Sequence, residues 1–207
     1  MPSIFRAVTT TPRREDYSML QKADFIYNDK KGRGIAYAKN QCLKEAKDSE
    51  YVFLFDDDVF TLQKGWEDYF IELSKSTGEQ HFLYMRDNIL TPKIGEKDEL
   101  DFYASCNGCF IFLTKKVLEA VGGFNPQYRR YGFEHASYST RIHKAGLTSQ
   151  KYISPKRTGE HIYSMDLDNY IEFEFEHRPT LTGSEIKKDL EYNAKVFAQD
   201  TEIYVPI

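Results

Sequence analysis

Tyr51-Val-Phe-Leu-Phe55 running straight into Asp56-Asp57-Asp58-Val59 decides how this chain is read. Five apolar residues in a row predict a short strand buried on both faces, as in a parallel sheet. Such a strand carries its carboxylates to the C-terminal edge, where open α/β sheets bind their ligands. An Asp-x-Asp at that edge suits a hard divalent cation: Mg²⁺ and Mn²⁺ prefer oxygen ligands and take one or two carboxylates together with phosphate oxygens of a substrate. Alternate residues of an extended segment share a face, so Asp56 and Asp58 are the expected pair and Asp57 points to the other side. A solvated acidic turn is the bland alternative, but three adjacent acids behind a buried strand repel one another, which a cation would relieve.

Outward from that strand, helical and extended patterns alternate. Ile4 to Thr9 reads as a first strand feeding the loop Thr9-Thr10-Thr11-Pro12, with a helix expected from about Arg14 to Ala23. Phe25-Ile-Tyr27 is a second strand. Asn28 to Gly34 is a basic, turn-rich loop, and Ile35, Ala38, Cys42 and Ala46 recur at helical spacing up to Lys47. Beyond the aspartates, a helix is expected over Leu62 to Lys75, a strand over Phe82 to Met85 and a polar surface loop from Arg86 to Asp101. Phe102 to Leu113 frames Asn107-Gly108, either a type I′ hairpin or a loop entering a strand. A helix capped by Thr114 ends at Gly122-Gly123, and another runs from Phe133 to Ala145 before Gly146. After Ile153 the pattern becomes irregular until a terminal helix from Ser184, its expected cap, to Gln199. The fold class predicted is α/β, a mostly parallel central sheet flanked by helices.

The length of 207 residues fits one domain, divided into halves at about 1–60 and 61–165 with a helical tail at about 166–207. Its 28 basic against 32 acidic residues argue against a nucleic-acid partner and leave a small molecule as the simpler one. Three cysteines fit a reducing compartment better than a disulfide framework, and no signal peptide or membrane-spanning run is evident, so a cytoplasmic, soluble protein without a transmembrane segment is expected. Cys106-Asn-Gly-Cys109 has no second pair to complete a zinc site.

Four stretches in order carry a resemblance: Val8-Thr-Thr-Thr-Pro-Arg13, Gly34-Ile-Ala-Tyr-Ala-Lys-Asn40, Phe55-Asp-Asp-Asp-Val59, and Gly122-Gly-Phe-Asn-Pro-Gln-Tyr128 with Gly132-Phe-Glu-His-Ala-Ser-Tyr-Ser-Thr-Arg141. Together they resemble the GT-A glycosyltransferases, especially family two and the β-1,4-galactosyltransferases, across about residues 4 to 146. The resemblance implies a GT-A fold, here with a shortened nucleotide-binding half, and transfer of a sugar from a nucleotide-sugar donor to a saccharide or glycoconjugate acceptor, with inversion as the expected outcome. It implies Mn²⁺ or Mg²⁺ held by Asp58 and Asp56, with His161 as a third ligand. Asp56 and Asp57, Thr9, Thr11, Arg13, Arg33, Lys39 and Gly108 would contact the nucleotide sugar. A UDP-sugar is the first guess, with GDP- or dTDP-sugars open and Asp24 or Asp29 as the base-reading acid.

The catalytic pair departs from the inverting relatives, which carry two acids where this chain has Glu134-His135. Histidine titrates near neutrality, whereas a carboxylate at a helix N-terminus is held ionised and is a weaker base, so both remain candidates for the acceptor's proton. A retaining subgroup with Glu-Asn at this place leaves the stereochemistry open. The other readings are metal-dependent nucleotidyl or phosphoryl transfer and a catalytically silent module that binds sugar nucleotides.

Overall fold

A computed structural model describes residues 2–10, 23–168 and 181–207. In chain order it contains β1 (Ile4–Thr10), β2 (Phe25–Asn28), α1 (Ile35–Ala46), β3 (Tyr51–Asp56), β4 (Val59–Thr61), α2 (Trp66–Thr77), β5 (His81–Leu83), β6 (Lys93–Lys97), β7 (Leu100–Tyr103), β8 (Phe110–Thr114) and α3 (Lys115–Val121). These are followed by α4 (Glu134–Lys144), β9 (Ile153–Pro155), α5 (Thr158–His161), β10 (Ile162–Ser164), α6 (Met165–Asp168) and α7 (Gly183–Gln199). The helix expected near Arg14 falls outside the described residues except for Ala23.

The main sheet has the order β2-β1-β3-β8-β5. β1 pairs in parallel with β2 and β3, while β8 runs antiparallel to both β3 and β5. Only β8 therefore opposes the other strands, in line with the mostly parallel α/β sheet expected. Residues of β3 alternate between two cores, as the pleat requires. Val52 and Leu54 pack with Leu43 of α1, Val117 of α3 and Tyr138 of α4 on one face. Tyr51, Phe53 and Phe55 join Trp66 and Phe70 of α2 on the other. The second core is aromatic: Phe53 meets Trp66 edge-on at 4.6 Å, and Phe55 meets Phe110 at 5.2 Å, geometries that align ring edges with ring faces.

The parallel register fixes where the ligand edge falls. Thr9 lies opposite both Tyr27 and Asp56, and Thr10 opposite Asn28, so hydroxyls and carboxylates emerge together at the C-terminal ends of β1, β2 and β3.

Several expected elements are corrected. The helix expected from Leu62 begins at Trp66, because Val59 to Thr61 pairs with Ile162 to Ser164 and Gly65 takes a left-handed turn (φ 74°) before the helix. The expected surface loop from Arg86 to Asp101 contains the hairpin β6-β7, which pairs on to β9. Its turn is Asp98-Glu99, with Asp98 at φ 50°, and Asn107-Gly108 is the loop that enters β8, with φ positive at neither residue. Charge hid that hairpin: Lys93 pairs with Asp101 at 2.9 Å, so the strand lacks apolar alternation. The terminal helix is capped by Thr182 and not by Ser184. Thr182 Oγ1 accepts the Glu185 N–H and Glu185 accepts the Thr182 N–H, a reciprocal box. Downstream of Ile153 the chain is more regular than expected, with β10 and two short helices. Among the described residues no helix is long and apolar enough to cross a membrane.

Candidate functional site

Asp56 closes β3 and stands between two partners. Thr9 Oγ1 donates to its Oδ1 at 3.0 Å, and Lys39 Nζ lies 2.7 Å from the same oxygen. Lys39 is wholly buried, while the Asp56 side chain keeps 29% of its exposure. The expectation that Lys39 touches a donor phosphate is thereby corrected: a lysine taken out of water keeps its charge by pairing, and its partner is Asp56. The strand ends at Asp56, so the expected alternation stops there and Asp57 turns to the cleft, accepting from Thr10 Oγ1 at 2.7 Å. Asp58 is buried, and its carbonyl accepts from Met165 N.

These carboxylates line a cavity of about 480 Å³ together with Thr9, Thr10, Asp29, Lys30, Lys31 and Arg130. The N-terminus of α1 opens into it through Gly34 and Ile35, with no acid in the first turn, which favours an anion. Gly34 is required there: at φ 106°, a Cβ would lie 2.5 Å from Arg130 Cα. Arg33 is placed elsewhere, its guanidinium over the Tyr37 ring at 4.4 Å, so the basic residues of that loop facing inward are Lys30 and Lys31. Arg130 was missed because its segment carries no motif of its own. Thr11 and Arg13 lie outside the described residues.

Of the two candidate base-reading acids, Asp24 pairs with Arg6 at the opposite end of the strands. Asp29 is in the cleft, buried, with Oδ2 accepting the Gly34 N–H at 2.8 Å and Oδ1 without a hydrogen-bond partner among the described residues.

His161 is not brought to the aspartates. The β4-β10 ladder runs from Met165 N on Asp58 O at one end to Leu62 N on His161 O at the other. Four residues of strand, about 13 Å, separate those ends. The imidazole stacks on Tyr69 at 4.4 Å, and burial, followed by the charge of Arg157, lowers its pKa and keeps it neutral. Among the described residues no group of three or more His, Cys, Asp or Glu side chains is placed to hold a metal. The donor set still fits a hard cation: Asp56, Asp57 and Asp58 supply oxygen ligands and all line one cavity. The neighbouring Cys109 thiol is pushed up by burial, then by Asp56 and Asp58.

A second cavity, of about 510 Å³, meets the first at Asp56, Ile35 and Tyr131. Glu134 and His135 line it from the start of α4. Glu134 Oε1 lies 3.1 Å from His135 Nδ1, with the two side chains 3% and 11% exposed. Glu134 Oε2 and His135 Nε2 are both buried, with no hydrogen-bond partner among the described residues. The carboxylate beside Nδ1 offsets positive charge on the ring, and Nε2 is the ring nitrogen away from it. The chain reaches this pair through Gly132 (φ 97°) and Phe133 (φ 71°), a bulky residue in the left-handed region where backbone strain is concentrated. Gly108 also lines the cavity, and a Cβ on it would fall inside the His135 ring. That ring meets Phe124 edge-on at 5.8 Å. Phe124 is bracketed by Asn40, whose Oδ1 accepts its N–H at 2.7 Å and whose Nδ2 donates to its carbonyl at 2.8 Å.

An acidic strand edge faces one cavity and an acid-histidine pair faces an adjoining one. A family model described as the N-terminal domain of galactosyltransferase matches residues 94–173. An uncharacterized glycosyltransferase of Acanthamoeba polyphaga mimivirus is 28% identical over 174 residues, which cover 80% of this chain; the chain spans 62% of that relative's length. The resemblance to glycosyltransferases is thus borne out in sequence, and to galactosyltransferases over the stretch holding Gly108, Glu134 and His135. Among solved structures, a Drosophila β-1,4-galactosyltransferase 7 mutant in complex with manganese, UDP-Gal and xylobiose is 17% identical, covering 89% of this chain and 79% of its own at a TM-score of 0.44. The catalytic domain of the Drosophila enzyme with xylobiose gives 16%, 89%, 79% and 0.43.

Proposed function

We propose that this chain is a metal-dependent glycosyltransferase that moves a sugar from a nucleotide-sugar donor to an acceptor hydroxyl, with inversion. The observation that carries the reading is the meeting of the two cavities at Asp56. The cavity with the aspartates, Lys30, Lys31 and Arg130 takes the donor, its basic side chains and the α1 N-terminus facing the diphosphate. Asp58 holds Mn²⁺ or Mg²⁺ together with Asp57 or the second oxygen of Asp56. The cation, when bound, supplies Lewis-acid stabilisation of the departing diphosphate. Asp56, tied to Thr9 and Lys39, orients the donor at the border with the acceptor cavity. There His135 Nε2 takes the hydroxyl proton and Glu134 Oε1 holds the ring and offsets the charge it gains. Glu134 Oε2 is left to accept from a second hydroxyl of the acceptor.

Asp29 favours a pyrimidine donor. One of its oxygens is held by Gly34, so a single acceptor remains for the lone ring N–H of uracil or thymine, while guanine offers two adjacent donors that match a whole carboxylate. Release of UDP from UDP-galactose with Mn²⁺, followed with and without a saccharide panel, tests the reading. Turnover is expected in the wild type and at least a hundredfold less in Asp58→Ala. Undiminished turnover in that variant, or pyrophosphate in place of nucleoside diphosphate, rejects it.

A further inference from the structure

The stretch Arg129 to Phe133 stands between the two cavities, with Tyr131 lining both, and it delivers Glu134 and His135 through two positive φ angles. A bulky residue in the left-handed region is strained and persists only where its surroundings hold it. The holding element is α7. Asn193 is fully buried, and among the described residues its side chain makes three hydrogen bonds, all to this stretch: Oδ1 accepts from Arg129 N at 2.8 Å, and Nδ2 donates to the Tyr131 and Gly132 carbonyls at 2.9 Å each. One turn earlier Asp189 accepts from Arg130 Nε at 3.0 Å, and one turn before that Glu185 accepts from Arg130 Nη1 at 3.1 Å. Residues 185, 189 and 193 recur every fourth position and so share one face of the helix. Beside them, Leu190 fills the space a side chain at Gly132 would need, and Phe197 meets the Phe133 ring at 5.5 Å.

We infer that Asn193 is a positioning residue for the transfer reaction, clamping the Arg129–Phe133 stretch so that Glu134 and His135 face the acceptor cavity and Tyr131 divides it from the donor. The inference rests on the glycosyltransferase reading for its chemistry, although the clamp itself does not. An amide offers both an acceptor and two donors, which is what one backbone N–H and two carbonyls demand. Aspartate has the same shape and neither donor.

Asn193→Asp therefore keeps the volume, loses both donors and sets a carboxylate against two carbonyls. Hydrogen–deuterium exchange is expected to quicken at least tenfold in residues 129–136 and to stay unchanged in β3 and β8. With UDP-galactose and Mn²⁺, kcat is expected to fall at least tenfold while the Kd for UDP with Mn²⁺ moves less than threefold. Unchanged exchange at 129–136 overturns the inference, as does a loss of UDP affinity matching the loss of kcat. Should Asn193→Asp not fold, Asp189→Asn loosens the same stretch through Arg130, and the same split between segment and sheet decides. A wild type that turns over no nucleotide sugar defeats the functional reading alone, because the exchange measurement still judges the clamp.

Discussion

Lys39 and Asp56 form an ion pair of unequal burial: the ammonium is wholly enclosed, the carboxylate is partly in water, and 2.7 Å separates them. The inequality sets which partner the fold can lose. Removing Asp56 strands a charge with no solvent, at a cost of about 3–5 kcal/mol. Removing Lys39 leaves a carboxylate that water still reaches. Urea unfolding should therefore show Asp56→Ala destabilised by several kcal/mol and Lys39→Met by clearly less; equal losses would mean that the pair is not buried as described.

Gly108 is defined by the ring it admits. A methyl group at this position overlaps the His135 imidazole, so Gly108→Ala must rotate the ring away from Glu134 or shift β8. Crowding of this kind costs about 1–3 kcal/mol. Turnover should fall at least tenfold, and Gly108→Ala combined with His135→Ala should be no slower than His135→Ala alone, since both changes act on one group. Additive losses would give Gly108 a separate part in the reaction.

Stability should fall on mild acidification through His81. This side chain is fully buried between Phe112 O at 2.9 Å and Ser139 Oγ at 2.8 Å. Burial first, with a small further push from His135, lowers its pKa to about 4. Between the ordinary value of about 6.5 and that value, the unfolded chain binds a proton that the folded chain refuses. The contribution is complete above about pH 6.5 and is lost as the pH drops, by about 3 kcal/mol at full extent. Urea midpoints at pH 7 and pH 4.5 should differ more for the wild type than for His81→Gln; identical differences would show that His81 does not titrate on unfolding.

The legible parts of this protein were those written in local pattern. The run Tyr51 to Phe55 announced a strand buried on both faces, and the acids after it announced a ligand edge, because burial and strand direction follow from consecutive residues. The β6-β7 hairpin was hidden, since its pairing relies on Lys93 and Asp101 meeting across strands and not on alternating apolar residues. Arg33 was assigned by charge and Lys39 by charge and the family's basic residue at that place, yet Asp56 pairs with Lys39 from across the fold, and the Arg33 guanidinium lies over Tyr37, four residues on. His161 followed a family order that the β4-β10 ladder does not honour. Asn193 had no signal at all, because a clamp on three backbone groups sixty residues away leaves no trace in local sequence.

Asp56 ends a strand of the five-stranded layer, and Asp58, two residues on in a turn, leads into the small β4-β10 ribbon, its carbonyl accepting from Met165 N. Their separation is therefore a property of how ribbon and layer sit together, as the gap of a caliper is set by its sliding jaw. A change in β10, far along the sequence, can widen or close that gap without altering an aspartate, and a divalent ion gripped there would fasten the ribbon to the layer in return.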